Sequence, residues 1–149
     1  MTFLIHAVTV ICIGLMVGTE FAVAAFIGPI LNRLEDSVRA TATRPFAQLL
    51  GKVMPFWYVL NFVLLVAEMF MWHQQPRIAW IWTAGALWAV AIFLSVFVLV
   101  PINNRIVKMD AAGFTDQLRK EHGKWESLHR WRVVALVGAM FCLLVGTYQ

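Results

Sequence analysis

Glu20, Asn103, His129 and Arg132 are the side chains of this 149-residue sequence whose types could together move a proton and hold a negative charge. A histidine exchanges protons near neutral pH, a carboxylate can orient its ring, and a guanidinium with an amide can steady a developing oxyanion. Trp125, His129 and Arg132 recur at i, i+4 and i+7, which places them on one helical face that His122 extends. His6, Glu68 and His73 form a second set with ligand types suited to copper or iron. His6, Glu20 and Glu68 stand inside apolar stretches. An ionisable group there is costly unless it faces a protein interior and finds a partner.

The elements that must position these residues are four apolar stretches, at about 3–31, 46–72, 79–101 and 131–148. Each is near the roughly 20 residues that a spanning helix needs. With 61% apolar residues and a mean hydropathy of +0.76, the chain is too apolar for an ordinary soluble domain. The expected fold is all-α, an integral membrane four-helix bundle running up-down-up-down as one domain over residues 1–149. Of the 12 Lys and Arg residues, all but Arg77 flank or fill the first and third polar gaps. Basic loops stay on the cytoplasmic side, so loops 32–45 and 102–130 are expected in the cytoplasm of a bacterial cell, with both termini outside its cytoplasmic membrane. No Lys or Arg precedes the first stretch, which therefore reads as a retained span. Prolines punctuate the first two loops, and residues 115–130 read as an amphipathic cytoplasmic helix leading into the fourth span.

Helical periodicity puts Thr2, His6, Thr9, Ile13, Met16 and Glu20 within about 40° of one face. Met54, Trp57, Asn61, Glu68 and Trp72 form a second inward stripe. Glu20 and Trp131 both lie about 18 residues from the outer ends of their spans, so Glu20 should meet His129 or Arg132. His6, Glu68 and His73 should gather near the opposite membrane face. The third stretch, with Thr83 and Ser95 as its polar residues, reads as the most lipid-like. Gly14, Gly18 and Ala22 read as a close helix-packing seam. Most tryptophans, and Tyr58 and Tyr148, read as interfacial anchors. Phe62, Phe70, Trp88, Phe93 and Phe97 suit either lipid or another copy of the chain, so a homo-oligomer stays open.

The net charge of +4 is explained by topology and anionic headgroups, which argues against a nucleic-acid partner. Cys12 and Cys142 lack the Cys-x-x-Cys spacing of a thiol oxidoreductase.

Gly18-Thr19-Glu20-Phe21, Met54-Pro55, Pro101-Ile102-Asn103-Asn104-Arg105 and Trp125-x3-His129-x2-Arg132 occur in an order and spacing that resembles the anthrone-oxygenase-like membrane proteins. That resemblance implies a four-helix membrane protein, some of whose relatives use dioxygen to turn an anthrone into an anthraquinone. It carries Asn103, Trp125, His129 and Arg132 onto the family's motif positions, with Glu20 in the span-one motif. An anthrone is a weak carbon acid whose carbanion reduces dioxygen directly. On this expectation His129 is the base, Arg132 and Asn103 hold the enolate oxygen, Glu20 orients His129, and Trp57, Trp125 and Met54 bind a hydrophobic aromatic or phenolic substrate. The cofactor stays open between none, a haem on His129, and copper or iron held by His6, Glu68 and His73. Two other classes fit the same residues: a small proton-coupled exporter using Glu20, and a non-catalytic membrane subunit.

Overall fold

Many large apolar side chains in this chain point outward. Phe3, Phe56 and Phe70 are more than 70% exposed, whereas Thr9, Asn61 and Glu68 are completely buried. That inversion is what lipid, rather than water, selects. The computed structural model describes residues 2–108 and 116–148, and every regular element among them is helical. α1 (Thr2–Ala22) passes through a π-helical turn (Val23–Ile27) into α2 (Gly28–Leu31). α3 (Asp36–Met71) is a single 36-residue helix. α4 (Ile78–Leu94) passes through a second π-helical turn (Ser95–Leu99) into α5 (Val100–Lys108), and α6 (Asp116–Thr147) completes the chain. Four helical rods are thus long and apolar enough to cross a membrane: Phe3–Leu31, Asp36–Met71, Ile78–Ile106 and Arg119–Thr147. Each packs on the next in chain order, and the first closes against the last.

Both π-helical turns have the same local cause. The Gly28 N–H reaches back five residues to the Val23 carbonyl, and the Val100 N–H to the Ser95 carbonyl. Pro29 and Pro101 follow immediately. A proline ring clashes with the carbonyl four residues earlier and supplies no N–H, so a widened turn just before it relieves both faults without breaking the rod. Pro101 therefore lies inside a continuous helix instead of closing the third span. Likewise the first polar gap is shorter than residues 32–45: the chain turns over 32–35, and Pro45 and Pro55 both sit within α3. Prolines are tolerated in spanning helices because neighbouring groups satisfy the freed backbone.

The third span is well packed, contrary to its lipid-like composition. α4 and α6 share the most extensive helix interface, and Trp88 is fully buried, donating through Nε1 to the Tyr58 carbonyl at 3.1 Å. Among the residues that could have faced lipid or another copy, Phe70, Phe93 and Phe97 are exposed, while Phe62 packs against the core and Trp88 belongs to it. Small residues make room on this interface and not on α1. A Cβ at Gly18 would meet nothing within 4 Å and one at Gly14 only the Met140 methyl at 3.6 Å, so the expected seam at Gly14, Gly18 and Ala22 is not a close approach. A Cβ at Gly146 would lie 2.6 Å from Ile81 Cγ1 and 3.2 Å from the Ile81 backbone nitrogen. Overpacking of that kind costs about 1–3 kcal/mol. Gly146→Val should lose that much stability in reversible unfolding in detergent, and Gly18→Ala none; equal stability of the two variants would contradict the packing described.

Candidate active site

Buried polar residues punctuate the inward faces of the helices at membrane depth. Thr9, Met16 and Glu20 succeed one another on the inward face of α1, Met54, Tyr58, Asn61 and Leu65 on that of α3, and His129, Arg132 and Leu136 on that of α6. Glu20 and His129 are each 2% exposed and Arg132 is 8% exposed. Arg132 is the hub. Its Nη2 donates to Glu20 Oε2 at 2.6 Å and to His129 Nδ1 at 2.9 Å, and its Nη1 donates to Ser95 Oγ at 2.9 Å. Tyr58 donates its hydroxyl to the other carboxylate oxygen, Glu20 Oε1, at 2.9 Å. The guanidinium carbon also lies 5.4 Å from the centre of the Tyr58 ring, a cation–π distance.

The protonation of His129 follows from its partners. A guanidinium has only donors, so the Nδ1 that receives its hydrogen bond carries a lone pair, and a neutral ring then bears its proton on Nε2. That Nε2 is buried without a hydrogen-bond partner among the described residues. Nδ1 also lies 3.3 Å from Glu20 Oε2, close enough to donate there in the other tautomer. Trp125 stacks on the His129 ring with centroids 4.7 Å apart and planes 13° from parallel, fixing the plane of the imidazole.

His129, Arg132, Glu20 and Tyr58 line one end of a cavity of ≈ 180 Å³ whose walls are otherwise mostly apolar. An apolar cavity of about 150 Å³ holds a benzene ring, so this one suits an aromatic guest. Met54 and Trp125 line it, as does Asn103, whose Nδ2 donates to the Ala47 carbonyl at 3.4 Å and does not touch the cluster. Trp57 does not line it. One residue is a 100° rotation on a helix, so Tyr58, and not Trp57, shares the inward line of Met54 and Asn61. Tyr58 and Ser95 are the members that sequence reasoning passed over. The i+4 step from Met54 to Tyr58 was the available signal, hidden by reading its ring as an interfacial anchor.

A second polar group contributes His122 and Glu126 to the lining of the cavity. Arg39 Nη2 lies 3.0 Å from His122 Nδ1, His122 lies 3.5 Å from Glu126, and Asn32 Nδ2 donates to Glu126 Oε1 at 2.7 Å. A third lies away from the cavity: buried Glu68 accepts from Trp72 Nε1 at 2.7 Å and holds His6 Nδ1 at 3.3 Å from both of its oxygens. His73 is not part of that group. It follows the end of α3, is exposed, and its Nδ1 lies 2.7 Å from the Phe70 carbonyl. The proposed ligand set of His6, Glu68 and His73 is therefore not assembled, and no three His, Cys, Asp or Glu side chains converge among the described residues.

Residues 46–142, most of the second span, the third and most of the fourth, match the anthrone oxygenase family. The chain belongs to that family. No curated protein and no solved structure matches it significantly. The part matched to the anthrone oxygenases contains Tyr58, Ser95, Asn103, Trp125, His129 and Arg132, while Glu20 lies ahead of it on α1. The site of this anthrone oxygenase family member is thus completed by a span outside the matched segment.

Removing one partner of a buried ion pair strands the other charge and costs about 3–5 kcal/mol. Arg132→Met should lose stability on that scale in detergent unfolding, and adding Glu20→Gln should restore part of it through non-additivity. Additive losses in the double variant would mean that the two charges do not depend on each other.

Proposed function

We propose that this protein is a membrane-embedded oxygenase that inserts oxygen from dioxygen into a hydrophobic aromatic carbon acid of the anthrone type. The supporting observation is the convergence of a histidine, an arginine and a carboxylate at the buried end of an aromatic-sized cavity, in a chain of the anthrone oxygenase family. The substrate's ring system lies along the apolar wall, and its carbonyl oxygen meets the cluster.

The two contacts at His129 Nδ1 correspond to two tautomers of the ring, which act on opposite edges of the substrate. With Nδ1 bonded to Arg132, Nε2–H donates to the substrate's oxygen and favours its enolate. With the proton on Nδ1, turned to Glu20 Oε2 at 3.3 Å, the Nε2 lone pair takes the proton from the activated carbon. Arg132 stabilises the negative charge that develops, and Asn103 borders the remainder of the ring. The carbanion passes its electrons to dioxygen and binds it as a hydroperoxide, which loses water to leave a carbonyl. One dioxygen is thereby reduced, with one oxygen atom in the product and one in water, while a CH2 becomes C=O. Because the buried walls admit little water, the carbanion meets dioxygen in a site that favours this path over reprotonation.

General-base contributions are typically about 10²–10⁴-fold. Purified His129→Ala in lipid vesicles should lose that much anthrone-dependent oxygen uptake relative to the parent protein, with its helix content unchanged. Undiminished uptake would remove His129 from the chemistry.

A further inference from the structure

Most polar residues lining the cavity are buried, whereas its most exposed lining residues are apolar. The Arg39–His122 contact and the Asn32–Glu126 hydrogen bond join α3, α6 and the turn after α2, while an ion pair of Arg119 with Asp36 ties α6 to α3 and one of Arg105 with Glu121 ties α5 to α6. At one end of the cavity Glu20, His129 and Arg132 are buried. The exposed residues among its lining are of a different kind and lie on α3 and the third span: Gly51, Pro55 and Val59 on one and Val96 on the other.

These residues form two facing lips. Gly51, Pro55 and Val59 follow one another at i, i+4 and i+8 along α3, and Ile92, Val96 and Val100 do so along the third span. Val59 is 57% and Val96 52% exposed although both line the cavity, so each has one side on the cavity and one on the surroundings. The lips lie within the apolar spans, where the surroundings are hydrocarbon. Gly51 has no side chain to fill the slot, and a Cβ there would lie 3.4 Å from Asn103 Nδ2. Pro55 withholds the N–H that would otherwise bond the Gly51 carbonyl. Val96 stands within the widened π-helical turn.

We propose that substrate reaches the site sideways from the lipid, through the slot between Gly51, Pro55 and Val59 on α3 and Ile92, Val96 and Val100 on the third span. The guest is accordingly a flat, membrane-partitioning aromatic with its hydrogen-bonding oxygen leading, so that the oxygen reaches His129 and Arg132 while the rings follow from hydrocarbon into an apolar channel. Only the choice of probe rests on the oxygenase reading; the route rests on the geometry of the lips.

The test uses full-length protein in lipid nanodiscs with Cys12→Ala and Cys142→Ala, carrying Val96→Cys or Val59→Cys labelled with benzyl methanethiosulfonate. Val63→Cys, equally lipid-exposed but outside the cavity lining, serves as the control position. Anthrone binding is followed without oxygen, by quenching of tryptophan emission, so that no turnover intervenes. A lateral route predicts that a label at either lip slows association and dissociation together by about tenfold relative to the labelled Val63→Cys control, and that reductive removal of the label restores both rates. Unchanged rates at both lips, equal slowing from Val63→Cys, a loss of affinity without slowing, or no saturable binding to unlabelled protein would overturn it. Slowed binding by a protein that consumes no oxygen with anthrone would leave the route standing and remove the oxygenase reading. Oxygen consumption with inert lip labels would do the reverse.

Discussion

A guanidinium held at membrane depth is the constraint on which the rest of this structure depends. Arg132 cannot shed its charge and cannot reach water from an 8% exposed position, so its environment must supply both a counter-charge and acceptors for its N–H groups. Glu20 supplies the charge, and Ser95 and His129 supply the further acceptors. These partners come from α1, the third span and α6. Tyr58 on α3 then satisfies the second carboxylate oxygen and is itself tied to the third span by Trp88. One buried cation thereby registers all four spans against one another. Hydrocarbon offers helices no hydrophobic reason to associate, so polar contacts of this kind and close packing have to do so.

The same arrangement leaves reactive capacity unspent. Glu20 has both oxygens engaged, but His129 presents Nε2 without a protein partner on a ring pinned by Trp125. A buried polar atom without a partner is normally an expense of about 1–3 kcal/mol. Its persistence beside a cavity is intelligible where a guest completes it. The proline-driven π-helical turns serve the same end, because both Val23–Ile27 and Ser95–Leu99 contribute to the walls, and a widened turn opens space that a regular helix would fill.

Apolar run length was enough to read four spanning helices, because the bilayer imposes that length directly. Counting depth from the span ends brought Glu20 opposite His129 and Arg132, since a 1.5 Å rise per residue makes depth nearly linear in sequence. Facing direction was harder to read. Trp57 and Tyr58 differ by one position, and an aromatic near a span end has two competing explanations, anchor or lining. The third span looked lipid-like because its inward residues, Trp88, Ala91 and Leu99, are as apolar as its outward ones; no periodicity separates faces of equal polarity. His73 was misplaced for a different reason: a residue just past a helix end is aimed by the turn, which composition does not specify.

The arrangement around Arg132 makes one statement about an atom that can be observed directly. In nitrogen-15 NMR of histidine-labelled protein in lipid, His129 should appear as a neutral ring with Nδ1 unprotonated and accepting a hydrogen bond, and with its proton on Nε2. A resting His129 that carries its proton on Nδ1, or on both nitrogens, would contradict the contact with Arg132 from which the site has been built.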